Sequence, residues 1–347
     1  MKLDKFRIFD CFPFLDELEI LDLRLSYLKE IADIIVIAQN DFTHRGDQWH
    51  PILDFEHKLI KKYMNEYEFR FTKPSQYQKT MSPWEREKNQ RNSINLALYD
   101  LNNDDVIIIS DVDEIPSIES IIEMSKLKNL HKCSVKMKNA FTFANTVSGG
   151  YWTHAKIIRG KSFVSAQFHR EEALLPNLKS CGLHLSVMGK DRWYRKFEIS
   201  PHQEMGRNLT PNLVDAFVNL RMYPSIDNIR LWSGGRLKKL DFTNCVEMIA
   251  RVKEYKPDWI SENSGYISYL TRINLSVFAY LSNSNLSTFK VSLERVIAKD
   301  ITAFVQVVFL LIYLSFFPLR IWSFIYRKFK IRSRIKFAIS KIFRASV

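Results

Sequence analysis

Val106-Ile107-Ile108-Ile109-Ser110-Asp111-Val112-Asp113-Glu114-Ile115-Pro116 is the stretch that decides the fold class. Its four leading residues are β-branched and apolar without interruption. They read as a central strand covered on both faces, since a strand with one wet face would alternate. The run follows the polar break Asn102-Asn103-Asp104-Asp105 and ends in three acids. Open α/β sheets place their chemistry beyond the carboxyl ends of their parallel strands, so these acids mark a candidate site as well as a strand end.

Working outward, Ser82, Pro83 and Glu85 supply an N-cap, a first-turn proline and a capping-box acid, which predict a helix from there to about Tyr99. Further back, Leu18, Leu21, Leu25 and Leu28 recur at three- and four-residue spacing, and predict an amphipathic helix within Asp16 to Ile31. It lies between an alternating N-terminal strand (Lys5, Phe6, Arg7, Ile8, Phe9) and a short buried strand, Ile34 to Ala38. Strand, helix and strand in under forty residues open a parallel α/β sheet. Toward the C-terminus, residues 131–205 read as β-rich with aromatics, and helical patterning resumes from about Thr210. The N-terminal residues read as a strand and not as an apolar leader, so no Sec-type export is expected.

Composition narrows the function classes. The chain has 347 residues, 46% apolar and 13% aromatic, with ten Gly and eleven Pro, a globular make-up that excludes collagen-like and low-complexity architecture. Its formal charge is +13, but nine Lys/Arg and no acid lie between Arg320 and Val347, and removing these nine leaves +4 for the rest. The excess base therefore belongs to a tail, and nucleic acid is not an expected partner. Cys11, Cys133, Cys181 and Cys245 show no C-x-x-C spacing and read as reduced, buried thiols of a cytosolic compartment.

Asp111 and Asp113, on alternate residues past a strand end, can both turn toward one hard divalent cation, Mg²⁺ or Mn²⁺. Such a cation would neutralise the diphosphate that leaves a nucleotide sugar. The competing reading is a capped strand end with solvated acids. On the helix from Pro83, Arg86 and Gln90 share one face, as do Glu87 and Arg91. Arg86 or Arg91 could contact phosphate or sugar, against a salt-bridged solvent face. Farther on, His184 and His202 are candidates to complete the metal shell, and Glu204 is the candidate general base, with Glu171 and Glu172 as rivals.

Taken together, several blocks resemble glycosyltransferase family 17. They are Asp10-Cys11-Phe12-x-Phe14 with Glu17-Leu18 and Arg24-Leu25, Thr43 with Gly46, Trp84-x-Arg86-Glu87-x-x-Gln90-Arg91, and Asp111-Val112-Asp113-Glu114-Ile115-Pro116. Gly182-x-His184-x-Ser186, Lys196 and His202-x-Glu204 continue the match. The resemblance implies a glycosyltransferase A-type, Rossmann-like fold with a mostly parallel central sheet. It also implies a metal-dependent, inverting transfer from a UDP-sugar, UDP-N-acetylglucosamine in the member that bisects N-glycans, to a saccharide acceptor. Donor binding would fall to Asp10, Arg86, Arg91 and Asp111, the metal to Asp111, Asp113, His184 and His202, and catalysis to Glu204 or Glu171. Gln39 and Leu183 depart from the residues common in the family, and leave the sugar less determined than the reaction.

Two other classes compete. Ile107 to Asp113 also looks like the first motif of haloacid-dehalogenase-type phosphatases, in which Asp111 would be a nucleophile. A non-catalytic, membrane-attached saccharide-binding protein could instead use Trp152, Trp193 and Tyr194 to stack on sugars. The sequons at Asn208, Asn274 and Asn285 read as chance occurrences. The expected division is a catalytic domain over 1–235, a helical extension over 236–300, and a membrane attachment over 301–347. In that last segment Ile301 to Leu319 carries no charge. The basic tail after it would bind an anionic membrane surface and hold the enzyme on the cytoplasmic face.

Overall fold

The computed structural model describes residues 6–75, 80–127, 129–189, 191–199, 238–239 and 245–261. His202, Glu204, the three sequons, most of the stretch expected as a helical extension and all of 301–347 lie outside these residues. The described residues form a single α/β unit. No helix among them is long and apolar enough to cross a membrane.

The chain runs β1 (Ile8–Pro13), α1 (Leu18–Leu28), β2 (Ile34–Ala38), α2 (Lys58–Tyr63), β3 (Glu68–Thr72), α3 (Pro83–Asn92), β4 (Val106–Ile109), β5 (Glu114–Ile115) and α4 (Ile118–Lys126). It continues through β6 (Lys132–Trp152), β7 (Lys156–Arg159), α5 (Ala166–Glu171), β8 (Asn177–Met188), α6 (Asp191–Ile199), β9 (Lys238–Lys239) and α7 (Val246–Tyr255). The strand order is β3-β2-β1-β4-β7-β6-β8-β5, with β9 on β6. The first four strands are parallel, as expected. β7 then runs antiparallel to both β4 and β6, whereas β6 and β8 are again parallel.

That reversal follows from the path of β6, which leaves β7 and comes back to it. Val135 N donates to Ala155 O at 3.0 Å, so the residues just past Trp152 return beside the start of the strand. Thr142 takes φ 64° along the way, a conformation that a β-branched residue adopts only when its surroundings hold it. Here its carbonyl accepts Gly189 N at 3.0 Å and its hydroxyl accepts Trp193 Nε1 at 3.1 Å. Trp193, at the start of α6, is wholly buried.

β4 lies between β1 and β7 and is buried on both faces, as its unbroken apolar run requires. Val106 and Ile108 join Ile8, Ile35 and Ile37 in the larger core, while Ile107 and Ile109 join Phe9, Val36 and Ala166 in the smaller one. Each such side chain contributes roughly 1.5–3 kcal/mol by leaving water. The larger core also takes Met248, Ile249 and Val252 of α7, so this helix seals the same face that α1 covers.

The helix starts are local chemistry. Ser82 Oγ accepts Glu85 N at 3.3 Å and Glu85 Oε2 accepts Ser82 N at 2.6 Å, which completes the expected capping box. α3 ends at Asn92 and passes into a 3₁₀ turn over Ser93–Ala97, close to the predicted end at Tyr99. What α3 buries is not an apolar stripe but Arg86, Gln90 and Arg91. The solvent-face reading of this helix therefore fails, because its polar side is turned inward.

Candidate functional site

The acidic turn after β4 is held from below by one side chain. Arg24 of α1 is wholly buried and donates to both Asp10 oxygens, at 2.7 and 2.5 Å. Its other bonds go to Ser110 Oγ at 2.7 Å and to the carbonyls of Asp111, Val112 and Glu114 at 2.9, 3.2 and 2.9 Å. One guanidinium thus shapes the whole turn, since its planar fork can serve several acceptors at once. Asp10 is one of the residues expected to hold the donor. It sits inside the sheet between Ile35 and Ile108, fully buried and saturated by Arg24, so its role is to position the turn.

Above that anchor the two aspartates part. Asp111 Oδ1 accepts from Arg91 at 2.9 Å and Oδ2 from Arg170 at 2.7 Å. Arg91 is fixed in turn by Glu87 at 2.6 Å and Gln167 at 2.7 Å. Arg170 also clasps the fully buried Glu114, at 2.5 and 2.7 Å. Burial alone would raise the Asp111 carboxyl, but Arg170 and Arg91 hold it well below the usual carboxylate range. Asp111 is still 28% exposed, so it borders the open side of the site. The phosphatase reading would make this carboxylate a nucleophile, whereas here it is held as an acceptor between two arginines.

Asp113 faces the other way. Lys196 of α6 donates to its Oδ2 at 2.6 Å and also to Ser186 O at 2.7 Å, while His184 Nε2 stands 3.5 Å from Oδ1. Burial would raise this carboxyl too, yet Lys196 and His184 keep it far below its ordinary value. His184 arrives by sheet register: β5 runs antiparallel to β8, and Glu114 pairs with His184. Gly182 makes that register possible, since a Cβ there would meet Ile115 O at 2.4 Å. Trp152 packs its ring, tilted by 38°, against the His184 ring at 4.8 Å between centroids and donates its indole N–H to Glu114.

Among the described residues no group of three or more His, Cys, Asp or Glu side chains could hold a metal by itself. The residues nonetheless fit a hard cation in part. Asp113 Oδ1 and His184 Nε2 face each other at 3.5 Å, too far apart for a good hydrogen bond. The His184 Nδ1 atom is buried and has no hydrogen-bond partner among the described residues. Hard cations that work on diphosphates commonly take only one or two protein ligands and complete the shell with phosphate and water.

The remaining predicted residues are spread around this centre. Arg86 donates to His44 O at 2.8 Å and lies against Gly46, whose φ of 100° brings the chain so close that a Cβ would be 2.9 Å from the guanidinium carbon. It therefore braces the turn after β2. Gln90 ties the same region together by donating to Phe14 O at 3.1 Å and Ala38 O at 2.9 Å. Glu171 is exposed at the rim of α5, paired with Lys88 at 2.6 Å. Lys88, with Gln167, holds its carboxyl below the ordinary value. Glu172 is occupied by His169 at 2.6 Å and by Lys132.

Arg24 and Arg170 were not singled out for the chemistry on sequence grounds. Arg24 left a signal, because it falls three residues after Leu21 and four before Leu28, a charge on the apolar stripe of α1. Arg170 left none, being 56 residues from the Glu114 that it clasps.

No curated protein sequence was found to match the chain. The family model for glycosyltransferase family 17 matches residues 1–186, more than half of the 347. That match spans β1 to the His184 strand and includes the Arg24-braced acidic turn. The chain thus belongs to glycosyltransferase family 17, whose activity is transfer of a sugar from a donor to a saccharide acceptor.

Proposed function

We propose that this enzyme is a metal-dependent, inverting glycosyltransferase that moves N-acetylglucosamine from UDP-N-acetylglucosamine to a saccharide acceptor. The observation that carries the reading is the Asp113 carboxylate facing His184 at 3.5 Å, at the carboxyl end of β4 beside the exposed edge of Asp111. Asp113 and His184 would hold Mn²⁺ or Mg²⁺, with His202, outside the described residues, as a further ligand. When bound, the cation would supply positive charge to the departing diphosphate.

The chain's own residues do the rest. Lys196 is a second positive charge at the same edge, 2.6 Å from Asp113, and is placed to accompany the diphosphate as its charge develops. Arg91 and Arg170 keep Asp111 ionised and fixed, so that it can accept hydrogen bonds from donor hydroxyls. Inversion in one step requires a carboxylate to take the proton of the acceptor hydroxyl. Glu204 is assigned that role. Glu171 is a weaker base, because Lys88 stabilises its charged form. Residues 301–347, also outside the described residues, would attach the enzyme to the cytoplasmic face of an anionic membrane, beside a lipid-linked or membrane-bound acceptor.

Screening nucleotide sugars for release of the nucleotide, with and without chelator, tests the assignment. UDP-N-acetylglucosamine should give metal-restored turnover, and Asp113→Asn should lower it at least about 100-fold while the fold persists. Turnover indifferent to chelator, or an Asp113→Asn enzyme as fast as wild type, would remove the metal from the mechanism.

A further inference from the structure

The four cysteines are not equivalent. Cys11 and Cys133 are wholly buried and apart, and the sulfur contacts of Cys133 are ordinary: Met124 Sδ and Ile157 O, both at 3.7 Å. Cys181 of β8 and Cys245, the residue before α7, instead bring their Sγ atoms to 2.9 Å. That is much closer than any other sulfur contact described, and about 0.9 Å beyond the ~2.0 Å of an S–S bond. Both residues are held by rigid neighbours. Cys181 lies in the register of β8, paired with Lys136 of β6, and Cys245 begins a helix whose Met248, Ile249 and Val252 are locked in the core. Neither thiol is completely closed off, at 4% and 5% exposure.

We propose that Cys181 and Cys245 form a reversible dithiol–disulfide pair that fastens α7 to the strand carrying His184. The oxidant is a small disulfide such as oxidised glutathione. One thiol loses its proton and its sulfur attacks the glutathione disulfide, expelling one glutathione thiolate. The second thiol then loses its proton and attacks the mixed disulfide, expelling the other. Two cysteine thiols become one S–S bond, and the two electrons they give up reduce one oxidised glutathione to two reduced molecules. The bond would close a loop between positions 64 apart, and that loop contains His184, His202 and Glu204. Oxidation would then restrain both ends of the segment that supplies these residues. The inference rests on the cysteine geometry alone and is independent of the donor or metal assignment.

The test uses the full-length protein equilibrated in glutathione buffers from fully reduced to predominantly oxidised. Samples are acid-quenched, alkylated in denaturant, digested without reduction and read by mass spectrometry. A peptide linking Cys181 to Cys245 is expected in the oxidised buffers, lost again with dithiothreitol, while Cys11 and Cys133 stay alkylated throughout. The oxidised protein should melt roughly 5–15 °C higher than the reduced one, as expected for a loop of this length. Cys245→Ser should abolish both effects; if that variant does not fold, the wild-type linkage map still decides. Four alkylated cysteines in every buffer, a link to Cys11 or Cys133, a stable glutathione adduct in place of the link, or a link without a melting shift would each overturn the proposal.

Discussion

Replacing Arg24 by Met removes a side chain that is wholly buried and bonded to six acceptor atoms. The immediate consequence is a fully buried Asp10 carboxylate without its counter-ion. Breaking one partner of such a pair costs about 3–5 kcal/mol, because the remaining charge is uncompensated in a poor dielectric. The carbonyls of Asp111, Val112 and Glu114 lose a charged donor as well, so the upper end of that range is expected. Against a total stability of about 5–15 kcal/mol this is a large fraction. Urea unfolding followed by far-UV circular dichroism should show the midpoint falling by more than about 1 M. The double variant Asp10→Asn/Arg24→Met removes the stranded charge. It should recover at least about 2 kcal/mol relative to the sum of the single losses. Arg24→Lys keeps the charge but loses the fork, and should lower turnover at least about tenfold at a smaller cost in stability. An Arg24→Met protein within about 1 kcal/mol of wild type, or strict additivity in the double variant, would refute the view that this pair braces the acidic turn.

Gly182→Ala forces a methyl to within 2.4 Å of Ile115 O, and should cost about 2–3 kcal/mol and most of the activity by shifting His184 out of register; a stable, active variant would show that the strands yield freely. Burial and the nearby Arg170 bring the Lys156 ammonium down to about 8 from 10.5. Between those values the unfolded chain binds the extra proton, so wild-type stability should climb with pH by about 3 kcal/mol relative to Lys156→Met and level off above. Parallel stability-versus-pH curves for the two proteins would contradict this. Ser82→Ala removes the N-cap of α3 and should lower stability by about 0.5–2 kcal/mol with unchanged turnover per folded molecule. A large loss of turnover there would show that the cap also shapes the site.

What the sequence determined by itself is what neighbouring residues settle among themselves. The capping box at Ser82 and Glu85, the covered strand Val106–Ile109 and the helix of leucines before Leu28 were legible because hydrogen bonds and periodicity within a few residues specify them. The acidic turn was legible for the same reason, as a polar cluster at the end of an apolar run. Only the tertiary structure decided which acids are sealed in the core and which border the open side. Asp10 lies in β1 and Asp111 just past the end of the neighbouring parallel β4, yet one is sealed beneath Arg24 and the other borders the open side. The antiparallel course of β7 was invisible because an apolar strand covered on both faces reads alike in either direction. The pairs that give the site its charge pattern, Arg170 with Glu114 and His184 with Asp113, join residues 56 and 71 positions apart. Such pairs have no local period to betray them, because they are brought together by sheet register and strand order, which are properties of the whole core.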